Sequence, residues 1–172
     1  MARHRGPVLL DTNAILESFR VGSWRALSGG YAVETVEDCI IETQTGFQRR
    51  SPEMQIDAAE LRAALKAIHP VIDAERAVIA VRAPDIALDV GERSLWAHAL
   101  TRSDAWVLCG PDKASMRFGV RIGMRDRIIS LETLLNDVGY GRSNTLRPAY
   151  TNKWLQDNLS NLTVSEVARR LL

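Results

Sequence analysis

Short apolar runs that end at a turn recur along the chain and are the first indication of its fold. Residues 8–10 and 105–109 are apolar runs typical of buried strands, and residues 127–131 predict another. Asp11 directly follows the first run, Asp112 follows the second after a Gly-Pro turn, and helical periodicity follows each aspartate. Repeated alternation of strand and helix predicts an α/β fold with a parallel sheet and short connections.

The region between these strands is predicted to be mostly helical. A short strand is expected at residues 31–33. Thr35 and Asp38 have the form of a capping box, so a helix should begin near Val36. Residues 57–68 show the spacing of an exposed amphipathic helix.

The second half of the chain contains further helical patterns. A helix is predicted over residues 89–101 and a shorter one over residues 131–138, whereas residues 71–84 fit a helix and a strand equally well. A last amphipathic helix runs to the end of the chain. We expect one domain over residues 1–142 and a C-terminal helical extension over residues 143–172.

The composition indicates a folded globular protein and does not identify a binding partner. The chain has 172 residues, of which 46% are hydrophobic and 25% are charged, and its formal charge is +1, so a folded domain with a core is expected. Cys39 and Cys109 lie in apolar segments and are predicted to be reduced core residues, without Cys/His metal spacing. No apolar run has the length of a signal peptide or a membrane span, so a cytoplasmic location is expected.

Four carboxylates are predicted to meet at one edge of the sheet. Asp11 and Asp112 follow strands, and ligands bind at the carboxyl ends of the strands in open α/β sheets. Glu92 projects into the apolar stripe of its helix, where a charge is costly unless it is paired or bound to a metal, and Glu42 lies at the edge of another stripe. Carboxylates that converge repel each other unless cations neutralise them, and oxygen ligands fit Mg²⁺ or Mn²⁺.

Each acid also has an ordinary structural explanation. Asp11 and Asp112 stand where helix N-caps are found. Glu42 can be a residue of a solvated helix face, with Glu37 or Asp38 as the functional acid in its place. The hypothesis of a metal site therefore depends on the joint arrangement rather than on any one residue.

The order of these motifs resembles that of a known nuclease family. Residues 8–13, Glu42, residues 91–97 and residues 107–114 look like the motifs of a PIN domain, the family that includes the VapC-type toxins of bacterial toxin–antitoxin pairs. The similarity spans roughly residues 7–140. It implies a three-layer α/β/α sandwich with a central parallel sheet, an acidic Mg²⁺ or Mn²⁺ site, and hydrolysis of RNA by metal-activated water.

The resemblance also assigns roles to individual residues. The acidic positions, expected to be catalytic and metal-binding, are Asp11, Glu42, Glu92 and Asp112. Nine Lys and Arg residues against five acids make residues 101–153 the basic region, which is compatible with phosphate contacts. Substrate contacts are expected from residues beside the acids or in this region: Thr12, Asn13, Lys113 and Arg117.

The chain departs from the family pattern in two places. Lys113 follows Asp112 where many members carry further acid, and the chain continues beyond Arg142. The longer chain weakens the toxin assignment more than the nuclease assignment.

We therefore expect a divalent-metal-dependent endoribonuclease, with the toxin of a type II toxin–antitoxin pair as its narrower form. RNA as substrate, an antitoxin protein as candidate partner, a homodimer and no membrane association are expected. One alternative is a non-catalytic RNA- or partner-binding module of the same fold. Another is a phosphohydrolase that uses Asp11 as nucleophile. It resembles haloacid-dehalogenase-like enzymes, but Asn13 stands where they need a second aspartate.

Overall fold

A four-stranded parallel sheet forms the centre of the protein. The computed structural model describes residues 3–141 and 145–171, and the predicted domain boundary between residues 142 and 143 lies outside these ranges. All the strands are parallel, in the order β3-β2-β1-β4. The strands are β1 (Val8–Leu10), β2 (Val33–Val36), β3 (Ala67–His69) and β4 (Val107–Cys109).

Nine α-helices are found in the described residues, and most of them connect or cover the strands. They are α1 (Thr12–Arg20), α2 (Trp24–Gly30), α3 (Glu37–Thr43), α4 (Ala58–Ala64), α5 (Asp73–Arg82), α6 (Val90–Leu100), α7 (Lys113–Arg121), α8 (Leu131–Asp137) and α9 (Asn152–Arg170). Among the same residues, no helix combines the length and the apolar character that crossing a membrane requires.

The sheet separates two hydrophobic clusters. Val8 and Leu10 of β1 belong to the cluster formed with α1, α2 and α8, whereas Leu9 belongs to the cluster formed with α5, α6 and α7. Successive side chains of a strand point to opposite faces, so helices cover both faces. The predicted α/β fold with a central parallel sheet and three layers is confirmed.

The second strand lies later in the chain than predicted. It covers Val33–Val36 instead of residues 31–33, and α3 begins at Glu37. The capping box was a wrong interpretation, because Thr35 belongs to the strand and donates its hydroxyl proton to the backbone oxygen of Leu10, 2.6 Å away. Buried β-branched residues favour a strand here over a helix start.

Two other predicted elements are also corrected. The helix predicted over residues 57–68 ends at Ala64, and its last part is the edge strand β3. The strand predicted at residues 127–131 is reduced to one isolated bridge between Leu108 and Ile128. A short 3₁₀ turn precedes this bridge and Ser130 already caps α8, so no room is left for a longer strand.

The ambiguous segment, the two cysteines and the tail helix complete the comparison of the sequence with the fold. The ambiguous segment 71–84 contains a helix, α5. Cys39 and Cys109, which were predicted to be reduced core residues, are buried and form no disulfide. The tail helix α9 packs against α7, with Leu155 and Leu159 buried in the same cluster as the sheet residues. The tail helix is therefore attached to the body of the fold.

Candidate metal centre

Adjacent strands bring Asp11 and Asp112 to the same edge of the sheet. β1 and β4 are paired with Leu10 opposite Cys109, and each aspartate follows its strand and caps the next helix. Asp11 Oδ1 accepts the backbone N–H of Ala14 at 2.6 Å. Asp112 caps α7 in the same way, by accepting two backbone N–H groups. The order of the strands reverses between β1 and β4, which is where open α/β sheets bind ligands.

Glu42 reaches this edge from α3. Its Oε2 accepts the hydroxyl proton of Thr12 at 2.5 Å, and its Oε1 accepts the backbone N–H of Gly91 at 3.1 Å. Thr12 follows Asp11 directly, so the hydrogen bond ties the carboxylate of α3 to the end of β1. The hydroxyl of Thr12, which was predicted to contact substrate, thus donates to Glu42 in this structure.

The other two acids of α3 are paired elsewhere. Glu37 pairs with Arg62 of α4, and Asp38 accepts hydrogen bonds from Arg76 of α5 and from Ser94 of α6. Neither carboxylate is left to face the cleft. Of the three acids considered for α3, Glu42 is the one that lies beside Asp11.

Glu92 enters the site from the first turn of α6. It forms a reciprocal capping box with Asp89, because Asp89 Oδ1 accepts the N–H of Glu92 at 2.8 Å and Glu92 Oε2 accepts the N–H of Asp89 at 3.1 Å. Glu92 is only 8% exposed. Asp89 lines the same small cleft as Asp11, Glu42 and Glu92, so it is a fifth acid of the site.

Two glycines allow the carboxylates to approach the backbone. A Cβ atom on Gly91 would lie 2.7 Å from Oε2 of Glu42, and one on Gly110 would lie 2.5 Å from Oδ2 of Asp11. Both distances are far below van der Waals contact. The cleft therefore requires residues without a side chain at these two positions.

Three acids of the cleft have raised pKa values. Burial, with added repulsion from Asp89, Asp112 and Glu42, raises the pKa of Asp11 to about 7. Burial and repulsion from Asp112 and Asp89 raise the pKa of Glu92 to about 9. Burial also raises the pKa of Glu42. Each of these shifts means that the ionised carboxylates are destabilised where they lie.

Basic side chains do not neutralise this charge in the described residues. None of the ion pairs there includes one of the five acids, although Arg, Lys and His pair with carboxylates at many other positions. A cation from solution is the remaining way to offset several carboxylates that are ionised together. The donor set consists of oxygen atoms alone, which matches Mg²⁺ and Mn²⁺.

The carboxylates are close neighbours without forming a tight ligand cage. Among the described residues, no three of these acids bring their oxygen atoms within 4.8 Å of one another. Mg²⁺ commonly binds one or two carboxylates directly and keeps several of its waters. The spacing is therefore compatible with a hydrated ion.

The predicted substrate-contact residues differ in their exposure and in the contacts that they already make. Asn13 is exposed and lines the cleft, and Lys113 is exposed beside Asp112, with its Nζ 5.9 Å from the centre of the Trp154 ring. Arg117 donates from Nε to Glu166 of α9 at 2.6 Å. The guanidinium of Arg117 is thus held by the tail helix.

Sequence reasoning missed Asp89, Gly91 and Gly110. The sequence signal for Asp89 was its spacing of three residues from Glu92, which is also the spacing of an ordinary capping box. The glycines each stand one or two residues before an acid. Their role could not be recognised without knowing which side chain from another element approaches them.

Comparisons with known proteins leave the family open. No protein-family model matches the chain, and no curated protein matches it significantly. The PIN-domain resemblance therefore depends on the motifs in the sequence and on their agreement with the fold and the cleft.

Proposed function

We propose that the protein is a divalent-metal-dependent endoribonuclease of the PIN type. The observation that carries the proposal is the meeting of five acids at the carboxyl edge of the sheet without basic partners in the described residues, with raised pKa values for Asp11, Glu42 and Glu92. The resemblance of the motifs to those of PIN domains supplies the substrate class.

The residues of the cleft would have two roles, binding an ion and positioning the reactants. Asp11, Glu92 and Asp112 would hold Mg²⁺ or Mn²⁺, and Glu42 would complete the acidic set or orient the attacking water. A bound ion supplies charge neutralisation at the phosphate and a water of lowered pKa. Asn13 and Lys113 are exposed beside the acids and would hold the substrate backbone by hydrogen bonding and charge.

The decisive experiment is incubation of the purified protein with a mixed RNA pool, with and without Mn²⁺, followed by mapping of the new RNA ends. We expect Mn²⁺-dependent cleavage that Asp11→Asn abolishes. Asp57→Asn is the matched control, because Asp57 caps α4 as Asp11 caps α1 but takes no part in the cleft. Equal cleavage by wild type and Asp11→Asn would remove Asp11 from the mechanism.

The same assay separates the alternatives. RNA that is bound but not cut at millimolar Mn²⁺ would indicate the non-catalytic module. A phosphoryl group trapped on Asp11 during hydrolysis of a phosphate monoester would indicate the phosphohydrolase.

The resemblance also suggests a narrower role as the toxin of a toxin–antitoxin pair in the cytoplasm, with an antitoxin and a second copy of the chain as partners. Val164 and Val167 of α9 and Leu171 directly after it are 71%, 52% and 82% exposed, which is compatible with a protein partner. Growth arrest on expression that Asp11→Asn abolishes would test the toxin role. Light scattering of the purified protein would test for a second copy of the chain.

A further inference from the structure

A second polar cluster lies on the α6 side of the sheet, apart from the acidic cleft. Glu34 is a buried residue of β2, His69 ends β3, and His98 lies near the end of α6. One carboxylate oxygen of Glu34 and one ring nitrogen of each histidine all lie within 4.8 Å of one another. His98 is six residues beyond Glu92, or about 9 Å along the helix axis at roughly 1.5 Å per residue. The two sites therefore share a helix but not their ligands.

A single guanidinium nitrogen contacts two members of this cluster. Arg102 Nη1 donates to Glu34 Oε2 at 2.6 Å and lies 3.0 Å from His98 Nε2. Glu34 Oε2 also accepts a hydrogen bond from His69 Nε2 at 2.7 Å. A guanidinium has donors only, so His98 Nε2 presents its lone pair to Arg102.

The hydrogen-bond geometry leaves His98 in the form that binds metals. Because Nε2 of His98 faces a group that can only donate, this nitrogen carries no proton and the ring is neutral. Neutral imidazole is the form that ligates metals. A neutral ring and a carboxylate are thus already present at the same point.

The donor set differs in kind from that of the acidic cleft. Two imidazoles and one carboxylate suit Zn²⁺ and related transition-metal dications, and the same set holds zinc in catalytic sites that keep an open position. Mg²⁺ prefers oxygen ligands alone. The buried carboxylate of Glu34 needs a positive partner in any case, and Arg102 provides it in this structure.

Arg102 has a second anchor that would remain if a metal took its place. Its Nε and Nη2 donate to the two carboxylate oxygens of Asp104 at 2.9 and 2.6 Å, and Asp104 is partly exposed to solvent. An ion bound among Glu34, His69 and His98 would replace the two contacts of Nη1 and the hydrogen bond between His69 and Glu34. The guanidinium can give up the contacts of Nη1 and keep its two hydrogen bonds to Asp104.

We propose that Glu34, His69 and His98 form a binding site for a transition-metal dication of the Zn²⁺ class, and that Arg102 is the internal cation that competes with the metal. The site is independent of the proposed nuclease function, because none of its residues lines the acidic cleft.

The test is titration of the full, untagged chain with Zn²⁺ by calorimetry near pH 7.5. We expect one site whose affinity falls about tenfold or more in His98→Ala, since loss of outer-shell partners alone costs about 10–100-fold. Arg102→Gln should bind Zn²⁺ about tenfold or more tightly than wild type, because the competing charge is removed. His4→Ala is the matched control and should bind as wild type does, because His4 lies outside the cluster.

Several outcomes would overturn the proposal. Binding that survives in His98→Ala, or that is lost in Asp11→Asn, would locate the ion elsewhere. Absence of Zn²⁺ binding by both wild type and Arg102→Gln would show that no site exists, and weaker binding by Arg102→Gln would refute the competition. If His98→Ala does not fold by circular dichroism, the half-buried His69→Gln replaces it with the same expected loss.

Discussion

Replacing Asp11 with asparagine should stabilise the metal-free protein at alkaline pH while removing RNA cleavage. Burial and the neighbouring acids raise the pKa of Asp11 from 3.8 to about 7. Between these two pH values the folded protein holds a proton that the unfolded chain has released. The free energy of unfolding of the wild type must therefore fall as the pH rises through this interval.

The size of the effect follows from the two pKa values. At about 1.36 kcal/mol for each pKa unit, an ionisable Asp11 costs the folded state about 4 kcal/mol at pH 8 and roughly 2 kcal/mol at pH 5. Asparagine cannot ionise and caps a helix about as well as aspartate does. The stability advantage of Asp11→Asn over the wild type should consequently grow by about 2–3 kcal/mol from pH 5 to pH 8.

Urea unfolding of both proteins at the two pH values, in buffer treated with a chelator, measures this difference. Asp57→Asn should change stability little at either pH, because it exchanges one N-cap for another away from the cleft. Added Mn²⁺ should stabilise the wild type at pH 8 and narrow its gap to Asp11→Asn, because metal binding needs ionised ligands. Identical pH profiles for wild type and Asp11→Asn would refute the reasoning.

Two further substitutions test the glycine contact and the attachment of α9. Gly91→Ala puts a Cβ 2.7 Å from Oε2 of Glu42 and displaces this carboxylate, so RNA cleavage should fall about tenfold or more. The free energy of unfolding, measured in urea, should change by no more than about 1 kcal/mol. Glu166→Gln removes a buried carboxylate that accepts hydrogen bonds from Arg117 and Arg121, and urea unfolding should show a loss of about 3 kcal/mol.

Each of these substitutions has a control on the same chain. Gly29→Ala adds a methyl group in α2 where nothing lies within 4 Å, so cleavage should be unaffected. Asp157→Asn breaks an exposed pair with Lys153 and should cost less than about 1 kcal/mol. Full activity of Gly91→Ala, or a stable Glu166→Gln, would contradict the corresponding interpretation.

The features predictable from sequence were those that depend on neighbouring residues along the chain. β1, β4 and α6 follow from local apolar patterns, and the position of Asp11 and Asp112 follows from the rule that ligands bind at strand ends. The N-cap explanation and the site explanation of these aspartates are not exclusive, because both residues cap helices and line or adjoin the cleft.

Features that depend on contacts between distant elements could not be predicted. The choice of Glu42 over Asp38 is decided by Arg76 of α5, which no helical wheel of α3 can reveal. The half-buried edge strand β3 has no clear alternation and follows a short helix directly, so its residues were assigned to that helix. The grouping of His98 with Glu34 and His69 depends on β2 and β3, so the sequence of α6 alone does not indicate it.

Asp11, Asp112 and Asp89 each cap a helix, and Glu92 completes the capping box of α6. The same hydrogen bonds that start α1, α6 and α7 also restrict the rotamers of the acids. The cleft is consequently preorganised, and its ligands lose their conformational freedom during folding rather than on arrival of an ion. An ion that binds at this edge would therefore not have to order these side chains.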